Sequence, residues 1–468
     1  MARPRWIREL EAFAGEQVLA EKTPGLAMGF AMGGQPVYQA GFGWRDAERG
    51  LPITTNTVFG IGSITKSFTA IAIMQLQEQG KLSVHDPVVK HLPEFRTPNP
   101  EYARATTIHH FLTHTAGIPP LPTLFAVLRD SLLADPLFVT LSIAEHVRKL
   151  PTICRTDELM TFLADQAYTP LGAPGACFSY CNDTYMLLGV IIERLSGRPY
   201  TQYISEHILW PAGMTRSTFG DDEAAVWDDV AQLYDRMPSG EVTPAPGFHQ
   251  GTFPAADAAG HLKSTVPDLL RYMEVFRTGG RVGQATILRP ESVQGMMAPH
   301  FALGPDEHYG YGLFIRRGFK GVTLVEHGGT IKGVKASVLC VPEQAFTGAL
   351  LANIDNAPVS RVAHGAVHAY LGYPTDTPIF DLVETECDSA QIKEYEGEFA
   401  MGGAPLVVRV VEGRLEAKSG EETYHLRHVQ KDLFLMKFAG TDETVTFLRD
   451  GKGRIDAVFF HLRTVPRR

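Results

Sequence analysis

Strand-like text stands at both ends of residues 25–352, and mostly helical text fills the space between. Gly25–Met32 and Gln35–Gly41 read as two strands joined at Gly33-Gly34, a pair suited to a tight hairpin turn. From residue 308 strands return at Tyr311–Arg316, Val322–His327, Ala336–Val341 and Phe346–Ala352. Between them the apolar spacing is helical. One helix begins at Ser63 and stops near Gly80, and another covers Tyr185–Leu195 and ends at Gly197, while Leu82–Phe95 is broken by Asp86-Pro87 and Leu92-Pro93. An amphipathic N-terminal helix carries Trp6, Leu10, Phe13 and Val18. This order predicts one antiparallel sheet, closed by segments from both ends and flanked by helices with an all-α lobe.

The text changes after Tyr373. Pro374, Pro378 and the acidic residues Asp381, Glu384, Glu386 and Asp388 read as a linker. Beyond it come short alternating stretches at Leu406–Val411, Arg414–Ala417, Tyr424–His428, Leu433–Phe438, Thr444–Leu448 and Ile455–Leu462. Turn signals such as Glu412-Gly413, Ala439-Gly440 and Asp450–Gly453 separate them. The expectation is a domain over 1–373, a linker over 374–389, and a small all-β antiparallel barrel or sandwich over 390–468. A chain of 468 residues fits two or three domains.

Composition excludes several classes. Hydrophobic residues make up 44% and charged residues 20%, ordinary for a soluble globular protein. The net charge of −9 is spread out and no basic run occurs, so nucleic acid is not an expected partner. No apolar stretch approaches the ~20 residues of a membrane span. The N-terminus lacks an apolar signal core, which predicts a cytoplasmic protein, or a secreted or periplasmic one if an export signal has been removed. The five cysteines are odd in number and lack C-x-x-C spacing, so Cys177 and Cys181 read as ordinary buried thiols. Without an H-E-x-x-H or a Gly-rich phosphate loop, neither a metal nor an organic cofactor is expected.

Ser63-Ile64-Thr65-Lys66 is the only S-x-x-K in the chain. On a helix, positions i and i+3 share a face with Cβ atoms about 5–6 Å apart, so Lys66 could take the Ser63 proton. The helix N-terminus would favour the developing alkoxide. Ile64, Phe68, Ile71 and Ala72 form an apolar stripe for a core on the other face. Taken alone, the motif is equally compatible with a solvated lysine on a helix.

Two further segments could complete a site. Tyr180 could relay a proton, and Asn182 could hold Lys66 and bind a substrate carbonyl. A buried aromatic followed by an N-capping Asn is the alternative. His327, Gly328, Gly329 and Thr330 stand at the expected end of a strand, where two glycines admit close approach and a free N–H could form one arm of an oxyanion hole. A plain Gly-Gly turn is the alternative there.

In this order, S-x-x-K, Y-x-N and H-x-G resemble the three motifs of the serine β-lactamase and penicillin-binding-protein superfamily. Surrounding text is similar to class C β-lactamase-like, or CubicO, hydrolases: Thr107–Ile118, Tyr180–Gly189, Pro211–Met214, Ala259-Gly260 and Tyr309–Leu313. The tail opening at Tyr395–Phe399 resembles the lipocalin-like domain attached to some CubicO peptidases. The resemblance implies Ser63 as acylated nucleophile, Lys66 as base, Tyr180 as relay, Asn182 as substrate and lysine ligand, and His327 as third-motif residue. It places the oxyanion hole at the N–H groups of Ser63 and Thr330, in a cleft between an α/β sandwich and an all-α lobe.

His327 stands where class C β-lactamases carry lysine, a departure that the resemblance associates with esterases and D-amino-acid peptidases and that disfavours efficient β-lactam turnover. The expected order is a peptidase or amidase on short, D-residue-containing peptides, then a carboxylesterase, then a β-lactamase. A non-hydrolytic penicillin-binding or scaffold protein is the rival, and a homo-oligomer is left open. The expected partner is a small molecule or short peptide. Residues 119–174, rich in Leu and Phe, would roof the cleft, form helix core or make an oligomer contact. His114 is expected to be a structural hydrogen-bonder.

Overall fold

The computed structural model describes residues 3–246, 255–388, 391–400, 405–438 and 440–468. Met1, the linker end at Ser389, the start of the expected third domain at Ala390 and the turn residue Ala439 lie outside them.

Helix α1 (Arg5–Ala20) leads into strands β1 (Gly25–Met32), β2 (Gln35–Asp46) and β3 (Leu51–Pro52). Strands β4 (Phe301–Ala302), β5 (Glu307–Tyr309), β6 (Phe314–Phe319), β7 (Val322–Ile331), β8 (Val334–Val341) and β9 (Phe346–Ala352) follow the helical region. They form one nine-stranded sheet in the order β4-β5-β6-β7-β8-β9-β1-β2-β3. The join between the two ends of the chain is antiparallel, from Leu26↔Ala352 to Met32↔Phe346.

Alternation along β1 sends its residues to two different cores. Leu26, Met28 and Phe30 pack with Ile7, Leu10 and Ala14 of α1, and with Val362, Ala363 and Ala366 of the C-terminal helix Val359–Tyr370. Ala27 and Ala31 face the helical lobe instead, with Leu269, Leu270 and Met273 of the helix Val266–Thr278. Small residues are required on this face: a Cβ on Gly29 would stand 2.5 Å from Val266 Cγ1. The result is helix on sheet on helix.

The tail is an eight-stranded antiparallel sheet: β10 (Gly397–Phe399), β11 (Leu406–Val411), β12 (Arg414–Ser419), β13 (Glu422–Gln430), β14 (Leu433–Phe438), β15 (Thr441–Arg449), β16 (Ile455–Phe460) and β17 (Arg463–Pro466). A bridge between Phe399 and Arg467 brings its two edges together, with Ala400 N–H donating to Pro466 O at 2.9 Å and Arg468 N–H to Glu398 O at 2.8 Å. This nearly closed barrel is filled by Tyr395, Phe399, Val408, Phe434, Met436 and Phe447. Joining the edges leaves few strand groups without partners.

Four of the differences from the sequence expectation bear on the site. Ser63 lies in a 3₁₀ turn, Gly62–Ile64, and the α-helix α2 starts only at Thr65 and runs to Glu78. The strand expected at Tyr311–Arg316 begins at Phe314, because Gly312 turns at φ +69° against the Lys66 carbonyl. The strand carrying His327 continues through both glycines to Ile331. The stretch expected as one final strand is a hairpin turning at His461 and Leu462. Among the described residues no helix is long and apolar enough to cross a membrane.

Candidate active site

Ser63 is half-buried at the mouth of α2, and eleven of the helix's residues are buried. The expected apolar stripe therefore understates its surroundings, and its buried hydroxyls find partners. Thr65 Oγ1 donates to Gly62 O at 2.7 Å, Ser67 Oγ to Ile64 O at 2.7 Å, and Tyr272 OH to Ser67 Oγ at 2.6 Å. Lys66 is fully buried on the same helix. Its Nζ donates to Ser63 Oγ at 3.0 Å and to Ala259 O at 2.7 Å. Burial lowers its pKa to about 7, with the Cys181 thiol acting weakly the other way. A hydroxyl beside a buried amine that is half neutral near pH 7 is the arrangement a serine nucleophile and its base require.

Tyr180 lies in the loop preceding α3 (Asn182–Ser196), and Asn182 is the first residue of that helix. The Lys66 ammonium lies 5.0 Å from the Tyr180 ring centroid. Burial raises the phenol's pKa, and the Ser63 hydroxyl and Arg463 guanidinium pull it back in part. Asn182 is half-buried on the first turn of α3, and Lys66 has the Ala259 carbonyl as its second partner. His114 lies behind Tyr180, their ring centroids 4.2 Å apart.

On the opposite wall, His327 is buried and its ring lies 6.4 Å from that of Tyr180. Its Nδ1–H donates to Gly328 O at 2.6 Å, which leaves Nε2 to accept from Tyr309 OH at 3.1 Å. Burial lowers its pKa to about 4, so the ring is neutral at pH 7. Gly328 and Gly329 pair with Ser337 and Ala336 inside the sheet. Gly329 is demanded by its neighbour: a Cβ there would stand 1.9 Å from Ile61 O and 3.3 Å from Ser63 N. Reciprocally, a Cβ on Gly62 would stand 2.7 Å from Thr330 N. The backbone N–H groups of Ser63 and Thr330 thus belong to two segments in direct backbone contact.

Residues 119–174 divide into two parts. Ala126, Val127, Ile153, Leu159 and Leu163 join the main core, while Leu128, Leu132 and Val147 form a separate small cluster with Phe138 and Ile143. Asp135 from that cap is ion-paired with Lys332, two residues beyond Thr330. The segment therefore reaches the strand that borders Ser63.

Three groups at the site were not singled out from the sequence. The Ala259 carbonyl was visible only as part of family-like text. Tyr309, which orients His327, sits in the similar stretch Tyr309–Leu313. Arg463 carried no signal, because it comes from the barrel. Its backbone forms a bridge with Ser179, its guanidinium lies near Tyr180, Cys181 and Asp183, and its side chain makes no hydrogen bond or ion pair among the described residues.

The sequence matches the Beta-lactamase family over residues 5–372. Among solved structures, the octameric penicillin-binding protein homologue from Pyrococcus abyssi is 30% identical with a TM-score of 0.69, covering 99% of this chain and 100% of that one. A D-stereospecific amidohydrolase from Streptomyces sp. is 25% identical with a TM-score of 0.60, over 78% of this chain and 98% of that one. Protein flp of Staphylococcus aureus (strain MW2) is 25% identical over 346 residues, 72% of this chain, and the chain spans 61% of that relative's length. A mixed α/β fold with a serine and a buried lysine at the head of one helix defines the class of serine hydrolases related to penicillin-binding proteins. This chain belongs to the Beta-lactamase family.

Proposed function

We propose that the chain hydrolyses short peptides, D-residue-containing ones foremost, through an acyl-enzyme on Ser63. The carrying observation is the 3.0 Å contact between Ser63 Oγ and the Nζ of a fully buried Lys66 with its pKa at about 7. In this reading neutral Lys66 takes the hydroxyl proton as Oγ bonds to the substrate carbonyl carbon. The oxyanion is held by the N–H groups of Ser63 and Thr330. Tyr180 passes a proton to the leaving amine as the C–N bond breaks, and a water molecule then releases the acid. Asn182 binds the substrate carbonyl, Gly328 leaves room for the acyl group, and Gly329 lets the Ile61–Ser63 backbone lie against the third motif. His327 shapes the third wall as a neutral ring.

Arg463 supports a substrate bearing a carboxylate, since a partly buried guanidinium that makes no side-chain hydrogen bond or ion pair among the described residues, with Asp183 only nearby, suits bidentate recognition of one. Similarity to a D-stereospecific amidohydrolase supports the stereochemistry. The buried, neutral His327 supports ranking β-lactam turnover below peptide and ester hydrolysis, because it adds no cation at the third motif. We also read the chain as a CubicO-type hydrolase with a catalytic domain over 1–373, a linker over 374–389 and a lipocalin-like barrel over 390–468. A cytoplasmic location and a homo-oligomer complete the reading, the latter supported by likeness to an octameric homologue.

Ser63→Ala is expected to abolish ester hydrolysis and fluorophosphonate labelling, and retention of either overturns the assignment. Parallel assays with a D-alanyl anilide, a short-chain nitrophenyl ester and a chromogenic cephalosporin order the substrate classes. Arg463→Leu is expected to raise KM at least about tenfold for a peptide with a free C-terminus while sparing its amide.

A further inference from the structure

We infer that His114 is a positioning residue that holds Tyr180 in its working place, with the barrel hairpin His461–Arg463 as the opposing jaw. This rests on the reading of Tyr180 as the proton relay.

Both backbone neighbours of Tyr180 donate to the same histidine. Ser179 N–H donates to His114 O at 3.0 Å, and Cys181 N–H donates to His114 Nδ1 at 3.2 Å. The imidazole then lies against the Tyr180 ring between them, centroids 4.2 Å apart and planes inclined by 35°. One residue therefore engages the backbone on each side of the tyrosine, its carbonyl holding Ser179 and its side chain holding Cys181 and lying against the ring. Accepting at Nδ1 requires the neutral tautomer with the proton on Nε2. Burial enforces neutrality, and the nearby Lys66 and His327 act in the same direction.

His114 achieves this at a conformational cost. Its φ is +56°, in the left-handed region that non-glycine residues seldom adopt. That geometry lets one residue present both its carbonyl and its ring nitrogen to a single loop.

The other jaw belongs to the barrel. Tyr180 N–H donates to Leu462 O at 2.9 Å, Ser179 bridges Arg463, and Thr464 Oγ1 donates to Phe178 O at 2.8 Å. His461 and Leu462 make the turn with φ of +46° and +60°, again without a glycine. Phe459 and Leu462 pack with Phe178, Tyr309 and Tyr180 beneath it. The segment 178–181 is thus an extra strand-like rung between a barrel edge and His114. His114 and the barrel groups Leu462 O and Thr464 Oγ1 meet the loop of Tyr180 rather than the Ser63 hydroxyl, so they act through Tyr180.

The test uses the full chain and a nitrophenyl ester. His114→Asn tolerates positive φ and keeps a side-chain acceptor near the Nδ1 position, but removes the ring face from Tyr180. His114→Ala removes the acceptor as well. Thr464→Val releases the barrel's grip on Phe178 O. Expected are kcat losses of at least about tenfold for His114→Ala and smaller ones for His114→Asn and Thr464→Val. KM should stay within about twofold, and the alkaline limb of the kcat profile should move. The pair His114→Asn/Thr464→Val should be non-additive, because both jaws hold one segment.

Should His114→Ala fail to fold, His114→Asn and Thr464→Val decide. Native melting temperatures with kcat and pH profile unchanged in both would overturn the inference. That result with Ser63→Ala inactive would leave the acyl-enzyme reading standing. Activity in Ser63→Ala would remove that reading itself.

Discussion

Lys66 concentrates the chemistry of this molecule in one burial decision. Its pKa of about 7 means that the amine becomes competent as a base only as pH rises through that value. The kcat/KM for an ester is therefore expected to increase about tenfold per pH unit below 7 and to level off above it. The same shift costs stability. The folded-state value lies below the ordinary lysine value of 10.5, so the unfolded chain binds more protons between about 7 and 10.5, and stability rises with pH across that window. Lys66→Met is expected to lose activity and gain melting temperature, with a larger gain at pH 7 than at about pH 9. Differential scanning calorimetry at both pH values checks the sign. At this scale much was legible: Ser63, Lys66, Tyr180 and His327 were all named from sequence, and the structure places them close together. The Ala259 carbonyl was not, because a backbone acceptor has no residue signature.

At the scale of elements, β7 shows why a local rule misleads. Gly328-Gly329 reads as a strand end, since paired glycines are the ordinary mark of a turn. The structure keeps both in the ladder and uses the second for contact with Ile61, 1.9 Å from where a Cβ would stand. Only the packing of another segment reveals that requirement. Gly329→Ala is accordingly expected to cost roughly 3 kcal/mol or more and to disrupt acylation. Gly328→Ala meets nothing nearer than Ala336 O at 3.7 Å and should change stability by less than about 0.5 kcal/mol. Urea unfolding and burst labelling of the two variants separate these outcomes. Helix α2 gives a parallel lesson: its apolar stripe was visible, but the hydroxyls of Thr65, Ser67 and Thr69 are buried too, so the helix is enclosed on all sides over its first turns.

At the scale of the whole molecule, the barrel is joined to the site. Phe459 from β16 packs against Phe178, ring centroids 6.0 Å apart, in a cluster with Leu303 and Tyr309. Phe459→Ala is expected to weaken this docking by roughly 3 kcal/mol. Thermal unfolding followed by near-ultraviolet circular dichroism should then resolve an earlier barrel transition, and ester turnover should fall with it. The barrel's existence was legible, because alternating apolar residues and Gly-rich turns are local signals. Its last hairpin was not: His461 and Leu462 turn at positive φ without the glycine or asparagine that marks such turns. By itself the sequence determined the elements, the three motifs and the acyl chemistry they resemble, since these depend on periodicity and spacing along the chain. Tertiary structure alone decided that Lys66 is buried beside Ser63 with its pKa lowered, that Gly329 must stay bare, and that Arg463 and Thr464 reach the loop of Tyr180. Each of these depends on what distant segments place around a residue, and no local pattern encodes that.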